Sequence, residues 1–452
     1  MPLCVTTGLL TVYGGIMITK ICVITQNFVI IILGGRMEIR RDSYLKKLTD
    51  RMGNGLVKII TGVRRCGKTW LLLRLFRRHL AQAGVGDDHV IAVMLDDLEN
   101  AVLRDPNAMF RHIKGRIADG GTYYVLLDEV QLLHQFEEVL NSLLHIDNVD
   151  VYVTGSNSRF LSSDVITEFR GRGDEIRVHP LSFREFLSAH GGTKEEAWDD
   201  YFLYGGLPLV LSYGTPEGKA EYLTHLLENV YLSDIVERRR VRHEDELSEL
   251  LDILASSIGS LTNPLKLSRT FKSVKNRTIS DKTLKKYIDY MTDAFLIERA
   301  RRFDLKGKRY IASAAKYYFE DIGLRNARLG FRQTEENHIM ENIIYNELRI
   351  RGYHVDVGVL ETFGKEEGAT MRKQLEVDFT ATRGSRKYYI QSAFSLSTPE
   401  KLQQEQNSLL RIGDSFRKII IVRDNIRPRH DEAGITTIGI WNFLLDENSL
   451  DL

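Results

Sequence analysis

The sequence predicts an α/β protein whose first large domain is a parallel sheet with helices on both faces. Three apolar runs indicate buried strands, namely LVKIIT (56–61), YYVLLD (123–128) and VDVYVT (149–154). Each run ends in polar residues or glycine, as expected at the carboxyl edge of an open parallel sheet. Between the first two runs, the leucines of WLLLRLFRRHLAQAG recur at helical spacing before a terminal glycine. A strand, a glycine loop and a helix therefore follow one another.

The loop GVRRCGKTW (62–70) fits the pattern G-x-x-x-x-G-K-[ST] of a phosphate-binding loop. Glycines let backbone N–H groups point towards phosphates, the lysine reaches the terminal phosphates, and the threonine hydroxyl binds Mg²⁺. The sequence therefore predicts a P-loop NTPase sheet with ATP and Mg²⁺ as cofactors. The predicted nucleotide contacts are Gly62, Val63, Arg64, Arg65, Cys66, Gly67, Lys68, Thr69 and Trp70. A glycine turn without a ligand is the alternative.

Two carboxylates end the second predicted strand, Asp128 and Glu129. At the ligand-binding edge of the sheet, Asp128 together with Thr69 would hold Mg²⁺, and Glu129 would orient and deprotonate the attacking water. A solvated acidic turn would have the same composition. The third strand ends in TGSNS, where Asn157 is the candidate for a hydrogen bond to the γ-phosphate or the water.

Arg170 and Arg172 flank a glycine in EFRGRGDEI. An arginine that neutralises the developing charge accelerates phosphoryl transfer, and either the same chain or a neighbouring subunit can supply it. Two surface arginines are the simpler interpretation.

Composition bounds the remaining possibilities. The 452 residues predict two or three domains, and 62 basic against 61 acidic residues give no general attraction to nucleic acid or anionic membranes. Three cysteines form neither a disulfide framework nor a metal spacing, which favours a cytoplasmic location. Residues 1–36 carry two charges, and we expect them to be an extension upstream of the native start at Met37. A membrane anchor and an extra strand are the alternatives.

The middle of the chain predicts helices. Residues 37–190 are assigned to the ATPase domain and 191–245 to a helical linker or lid. Residues 246–330 contain three predicted helices and a hairpin, the order of a winged helix-turn-helix, which can bind double-stranded DNA. The hairpin is basic, so its candidate phosphate contacts are Arg299, Arg301, Arg302, Lys306, Lys308 and Arg309. Packing alone is the other role of such a module.

The last segment, 331–452, has the order of elements found in α/β restriction-endonuclease-like domains. Glu341 lies on a predicted helix, Asp378 on a strand, and Gln391 on the next strand. Nucleases of this kind use carboxylates for Mg²⁺ and a lysine beside the attacking water. This sequence has Gln391 and Ala393 at the last two positions, so we expect a vestigial site in a scaffold and no nuclease activity.

The chain resembles the prokaryotic AAA-type ATPases that carry a C-terminal domain of unknown function. The resemblance runs from about Met37 to the end and rests on TGVRRCGKT, LLDEVQ, VTGSNS, HPLSFREFL, YGGLP, DIVERRRV, KYYFEDIGLRNA, MENIIYNELRIRGY and EVDF followed by YYIQSAF. It implies an AAA+/STAND-like ATPase core, a winged helix and a nuclease-like domain in which glutamine at Gln391 is usual. It also implies that Lys68, Thr69, Asp128 and Glu129 match the Walker motifs and Asn157 the sensor position.

Three functions are consistent with the sequence. The first is an Mg²⁺-dependent ATPase whose nucleotide state controls the attached domains, with DNA, a protein partner at the C-terminal domain or further copies of the chain as partners. The second is a nucleotide-gated switch with little turnover, and the third is an ATP-regulated nuclease.

Overall fold

The computed structural model describes residues 31–32, 35–36, 39–155, 171–275, 278–332, 335–366, 369–396 and 398–452. The chain divides into two units, Met1–Met37 and Glu38–Leu452. In the first unit, β1 (Ile31–Ile32) and β2 (Gly35–Arg36) form a short antiparallel pair. Among the described residues, no helix combines the length and apolar character needed to cross a bilayer. The origin of residues 1–36 stays a prediction.

A five-stranded parallel sheet forms the first part of the second unit, as predicted. Its strands are β3 (Val57–Thr61), β4 (Val90–Met94), β5 (Tyr123–Asp128), β6 (Val149–Thr154) and β7 (Gly173–Arg177). Their order across the sheet is β4-β5-β6-β3-β7, and all four pairs are parallel. The glycine loop follows β3, which is flanked by β6 and β7, so the loop opens at the carboxyl edge near the middle of the sheet.

Helices cover both faces of this sheet. They are α1 (Asp42–Thr49), α2 (Lys68–Trp70), α3 (Arg77–Gln82), α4 (Pro106–Lys114), α5 (Phe136–Leu143) and α6 (Phe183–His190), and a π-helical stretch, Leu71–Phe76, joins α2 to α3. On one face, buried Val125 and Leu127 belong to the same apolar cluster as Met109 of α4 and Leu140 of α5. On the other, Tyr152 contacts Phe76. Alternation along the strands explains the two layers.

Six helices follow. They are α7 (Lys194–Tyr204), α8 (Pro216–Leu226), α9 (Ser233–Arg239), α10 (Glu244–Ser256), α11 (Pro264–Lys275) and α12 (Asp281–Asp293), with a second π-helical stretch, Leu227–Leu232, between α8 and α9. Ser280 caps α12 by accepting a hydrogen bond from the Thr283 N–H.

The predicted basic hairpin consists of β8 (Ile297–Asp304) and β9 (Arg309–Phe319). It belongs to an eight-stranded sheet with β10 (His354–Glu366), β11 (Ala369–Arg383), β12 (Arg386–Ala393), β13 (Arg417–Val422), β14 (Arg429–His430) and β15 (Ile435–Gly439). Four helices complete this part of the unit, namely α13 (Ile322–Arg328), α14 (Glu336–Ile350), α15 (Pro399–Leu410) and α16 (Ile440–Leu445).

β8 pairs in parallel with β10, so hydrogen bonds join the hairpin to the last segment of the chain. These bonds cross the domain boundary that the sequence analysis placed between residues 330 and 331. The winged helix stays a prediction that rests only on the order of its helices and hairpin. Three helices and a hairpin are present, but the hairpin is two strands of a larger sheet and does not project alone.

Candidate functional site

Two glycines of the phosphate-binding loop have backbone conformations that other residues rarely adopt. Gly62 has φ +137° and Gly67 has φ +100°, both in the region that favours glycine. A Cβ at Gly62 would lie 2.0 Å from the carbonyl oxygen of Val178, so no larger residue fits there. These two glycines set the start of the loop and its entry into α2.

The ammonium of Lys68 is held at the loop itself. Its Nζ donates to the carbonyl oxygens of Gly62 at 2.9 Å and Val63 at 3.0 Å, and only 5% of the residue is exposed. Val63 is buried and Trp70 is half-buried beside it. A buried cation at the start of a helix is the chemistry that phosphate binding requires.

Thr69, Asp128 and Thr154 form a hydrogen-bonded triad below the loop. The Thr69 hydroxyl lies 2.9 and 3.1 Å from the two carboxylate oxygens of Asp128. The Thr154 hydroxyl donates to Asp128 Oδ1 at 2.5 Å and accepts from the Glu129 N–H at 3.0 Å. Thr154 thus fixes both acidic residues, and the ends of β5 and β6 position them.

Burial raises the pKa of Asp128 to about 6, and the neighbouring Glu129 carboxylate adds to this effect against the hydrogen bonds from Thr154 and Thr69. Glu129 itself has a left-handed backbone, φ +52°, and its carboxylate accepts a hydrogen bond from the Gln131 amide. An uncommon backbone conformation at an acid beside a phosphate loop is typical of functional sites.

The donor set fits Mg²⁺ and a nucleoside triphosphate. Thr69 and Asp128 offer hydroxyl and carboxylate oxygens, the hard ligands that Mg²⁺ prefers. The loop offers glycines, a buried lysine and a helix N-terminus. The residues predicted from the motif are thus brought together on one edge of the sheet.

Three further residues are predicted to act in phosphoryl transfer, namely Asn157, Arg170 and Arg172. Asn157 and Arg170 lie outside the described residues. Arg172 is exposed at the start of β7 and donates to the Asn141 side chain at 3.0 Å. Since β7 pairs in parallel with β3, Arg172 lies at the amino edge of the sheet, a strand length or about 16 Å from the loop. It cannot act on the nucleotide of its own chain.

The helix α9 docks directly on the glycine loop. The Tyr231 hydroxyl donates to the carbonyl oxygen of Arg64 at 2.8 Å, and the Arg64 guanidinium pairs with Asp234 at 2.9 Å. Asp234 also pairs with Arg238 at 3.4 Å. Burial raises the pKa of Asp234, against its two arginine partners. The segment DIVERRR thus contacts the glycine loop.

Arg41 connects the loop to the second sheet. Its guanidinium donates to the carbonyl oxygens of Cys66 at 3.2 Å and His179 at 2.7 Å. His179 Nδ1 in turn lies 2.6 Å from Glu320, which also pairs with Arg177 at 2.8 Å. A continuous buried path therefore runs from the phosphate loop to the end of β9.

Cys66 is buried within the loop, and its thiol donates to the Val178 carbonyl oxygen at 3.3 Å. Burial raises the pKa of this thiol, which keeps it protonated and unreactive. The side chain fills space in the loop.

The basic hairpin presents five of its six predicted phosphate contacts to solvent, namely Arg299, Arg301, Lys306, Lys308 and Arg309. The sixth, Arg302, does not fit the prediction of a phosphate contact. It is 8% exposed and donates to the Gln374 side chain at 2.8 Å. Its position on β8 turns it away from the exposed arginines, since neighbouring residues of a strand face opposite sides.

The predicted vestigial site comes together around a residue that the sequence did not single out. Glu341 and Asp378 both lie within hydrogen-bond or ion-pair distance of Lys316 on β9. The Gln391 amide oxygen accepts from the Asp378 N–H at 3.2 Å. A lysine is therefore present, supplied by a strand far earlier in the sequence than the expected position at Ala393.

Tyr231, Asp234 and Arg41 also escaped prediction as site residues, and Thr154 was not singled out among the polar residues that end the third strand. The polar ending of the third strand was a signal for Thr154. The other three reach the loop only through tertiary packing, and nothing in their local sequence marks them as site residues.

Fold and site together define a P-loop protein with an AAA domain. A family model described as an AAA domain matches residues 54–187, and a second, described as a domain of unknown function (DUF8612), matches residues 195–335. An uncharacterised protein of Haemophilus influenzae is 33% identical over 413 residues, which cover 90% of this chain and 98% of that protein. The chain belongs to the same family as this protein.

More distant similarities extend to archaea. The uncharacterised protein MJ1544 of Methanocaldococcus jannaschii is 27% identical over 80% of this chain and 79% of its own. Among solved structures, the Walker-type ATPase PABY2304 of Pyrococcus abyssi aligns with a TM-score of 0.47 and 15% identity, covering 65% of this chain and 96% of that chain.

Proposed function

We propose that this protein binds ATP with Mg²⁺, hydrolyses it, and transmits the nucleotide state to its central and C-terminal segments. The observation that carries the proposal is the constellation of Lys68, Thr69, Asp128, Glu129 and Thr154 at one edge of the sheet. An AAA domain over residues 54–187 supports the same class of activity.

Each residue has a defined task in this proposal. Lys68 leaves the loop carbonyls to bind the terminal phosphates, and Glu129 accepts a proton from the attacking water. Thr154 keeps the Glu129 backbone and the Asp128 carboxylate in register. Bound Mg²⁺ would neutralise charge on the phosphates, held by Thr69 and, through water, by Asp128.

A neighbouring copy would supply the arginine. Arg172 lies at the edge of the sheet opposite the loop, so its use in phosphoryl transfer requires a second subunit whose loop meets that edge. Arg170, two residues earlier, is the alternative for the same role. Under this proposal the active form is a homo-oligomer.

A nucleotide switch with little turnover is the second candidate. The hydrogen bond from Gln131 to Glu129 favours it, because a base that is already engaged is not free to orient water. The two candidates differ in the fate of bound ATP.

The identity of the nucleotide that stays bound to the protein distinguishes an ATPase from a switch. We expect wild-type protein incubated with radiolabelled ATP and Mg²⁺ to retain mostly ADP after rapid gel filtration, and Glu129→Gln to retain ATP. Lys68→Ala should retain neither. If wild-type protein and Glu129→Gln both retain unchanged ATP for hours, the protein is a switch.

We propose that the nucleotide state of the ATPase domain controls the binding of a partner molecule. The path from Cys66 through Arg41 and His179 to Glu320 gives the nucleotide loop a physical link to β8 and β9. Double-stranded DNA is the partner suggested by the exposed basic residues of the hairpin. A protein docked on the C-terminal segment is the partner if DNA does not bind.

A further inference from the structure

A lysine lies inside the group of carboxylates in the second sheet. Lys316 Nζ is 2.7 Å from Glu341 Oε1, 2.8 Å from Glu376 Oε1 and 3.4 Å from Asp378 Oδ1. Only 4% of Lys316 is exposed. Three carboxylates from α14 and β11 thus converge on a single ammonium.

The strands that meet here are not neighbours. Lys316 lies on β9 and both Glu376 and Asp378 lie on β11, with β8 and β10 between them in the sheet. Since β9 and β11 are not adjacent, no ladder of backbone hydrogen bonds joins them, and the ammonium links them through side chains. The carboxylates of Glu376 and Asp378 lie on the same side of β11, because both reach Lys316.

Two of these carboxylates have further hydrogen-bond partners, and a histidine lies near one of them. The Tyr318 hydroxyl donates to Glu341 Oε1 at 2.5 Å, and the Ser392 N–H donates to Asp378 Oδ2 at 2.9 Å. His338 Nδ1 lies 3.8 Å from the other oxygen of Glu341. Partners of this kind are what lets buried charges persist in a protein interior.

Charge explains why a cation must be present. Three carboxylates in a buried site repel one another and require a compensating positive charge or protons. Burial lowers the pKa of Lys316, but the nearby carboxylates together outweigh it and hold the pKa above its ordinary value, so the lysine stays charged. Converging carboxylate oxygens are otherwise the ligands of a divalent cation.

We propose that the Lys316 ammonium takes the place of a divalent cation among Glu341, Glu376 and Asp378. It joins α14 and β11 and closes the carboxylate group to metal. The C-terminal segment is then a scaffold without phosphodiesterase activity, and the reason is a lysine in the metal position, whatever the residue at Ala393.

Removing the ammonium should open a metal site. We compare Lys316→Met, which keeps the length of the side chain, with Lys316→Arg, which keeps the charge. All proteins carry Asp128→Asn to eliminate metal binding below the phosphate loop, and Lys401→Met, on the surface helix α15, is the control for loss of a lysine. Mn²⁺ binding is followed by electron paramagnetic resonance, and folding by circular dichroism.

The expected result is one new Mn²⁺ site in Lys316→Met, with a half-saturating concentration at least tenfold below that of the parent. Adding Asp378→Asn should abolish it, and Lys316→Arg and Lys401→Met should not have it. If Lys316→Met folds only partly, Mn²⁺ should restore its melting transition, again only with Asp378 present.

Three results would overturn the proposal. One is a Mn²⁺ site in the parent that Asp378→Asn removes, because the carboxylates would then bind metal beside the lysine. Another is Mg²⁺- or Mn²⁺-dependent nicking of plasmid by wild-type protein that Asp378→Asn abolishes. The third is a Lys316→Met protein that gains no site, whether it is folded or fails to recover with Mn²⁺.

Discussion

At the scale of single residues, the nucleotide site depends on Thr154 as much as on the motif residues. Its hydroxyl bonds both the Asp128 carboxylate and the Glu129 backbone. Burial raises the pKa of Asp128, because desolvation disfavours the charged form of the carboxylate. Both features have measurable consequences for metal binding.

The pKa of about 6 at Asp128 predicts a pH dependence of Mg²⁺ binding. Mg²⁺ binds the ionised carboxylate, so the half-saturating Mg²⁺ concentration for ATP binding should be constant above pH 7. It should rise as the pH falls through about 6, approaching tenfold for each further unit. Titrations of otherwise wild-type protein with a fluorescent, non-hydrolysable ATP analogue between pH 5 and 8 measure it.

The matched control is Asp128→Asn in the same background. It should bind Mg²⁺ weakly at every pH, with no inflection near 6. An inflection of equal size in this variant would assign the titration to another group.

The raised pKa of Asp128 also makes the stability of the folded protein depend on pH. Because the folded-state pKa of Asp128 lies above its unfolded value, the folded protein binds more protons between the two, and this residue's contribution to stability falls as pH rises from about 4 to 6. Stability given up at neutral pH in this way is typical of functional residues.

At the scale of elements, α9 and the glycine loop form one unit. Asp234 places a carboxylate against Arg64 of the loop, and a negative charge at this position opposes the arrival of phosphates. Removing the charge should favour nucleotide.

We therefore expect Asp234→Asn to bind MgATP roughly threefold to tenfold more tightly than wild-type protein, as measured by isothermal titration calorimetry. Glu237→Gln, which removes an exposed carboxylate from the same helix, should change the affinity by less than a factor of about two. Weaker binding by Asp234→Asn would mean that the ion pair holds the loop in its binding conformation.

The basic hairpin is the second element with a testable role. Lys306→Glu with Lys308→Glu should weaken binding to double-stranded DNA at least tenfold and lower the salt dependence of the affinity, measured by fluorescence anisotropy. Lys114→Glu with Arg116→Glu makes the same charge change on exposed residues of the ATPase domain. Equal losses in the two double variants would contradict a specific role for the hairpin.

Most elements were predictable, and the contacts between distant elements were not. Apolar runs identified β3, β5 and β6, because local patterns determine strands. The position of β8 beside β10 and of Lys316 beside Asp378 depends on packing between residues far apart in sequence. No local signal marks such pairs, so the sequence placed the hairpin in a separate module.

At the scale of the whole molecule, a buried ionic group joins the ATPase domain to the second sheet. Glu320 is 3% exposed and pairs with Arg177 and His179. Asp321, the next residue, accepts hydrogen bonds from the Gly206 and Leu324 N–H groups, and burial raises its pKa to about 7. The segment KYYFEDIGL thus links three parts of the chain.

Breaking this group should destabilise the protein. We expect Glu320→Gln to lower the free energy of unfolding by about 3 kcal/mol, since it leaves His179 without its carboxylate and removes one of the two carboxylates that pair with Arg177. Urea unfolding followed by circular dichroism measures it. Glu447→Gln, which removes an exposed partner of Arg184, should cost less than about 1 kcal/mol. Equal effects would mean that the buried group is not a significant link.

Steady-state phosphate release by the full-length protein, with Mg²⁺ and with Lys68→Ala and Glu129→Gln as controls, tests the central claim most directly. The account predicts a measurable rate that both substitutions reduce at least a hundredfold, since each removes a group that acts in the transition state. A rate that survives Lys68→Ala and Glu129→Gln, or no release under any condition in which ATP is bound, would contradict the assignment of this site as an ATPase.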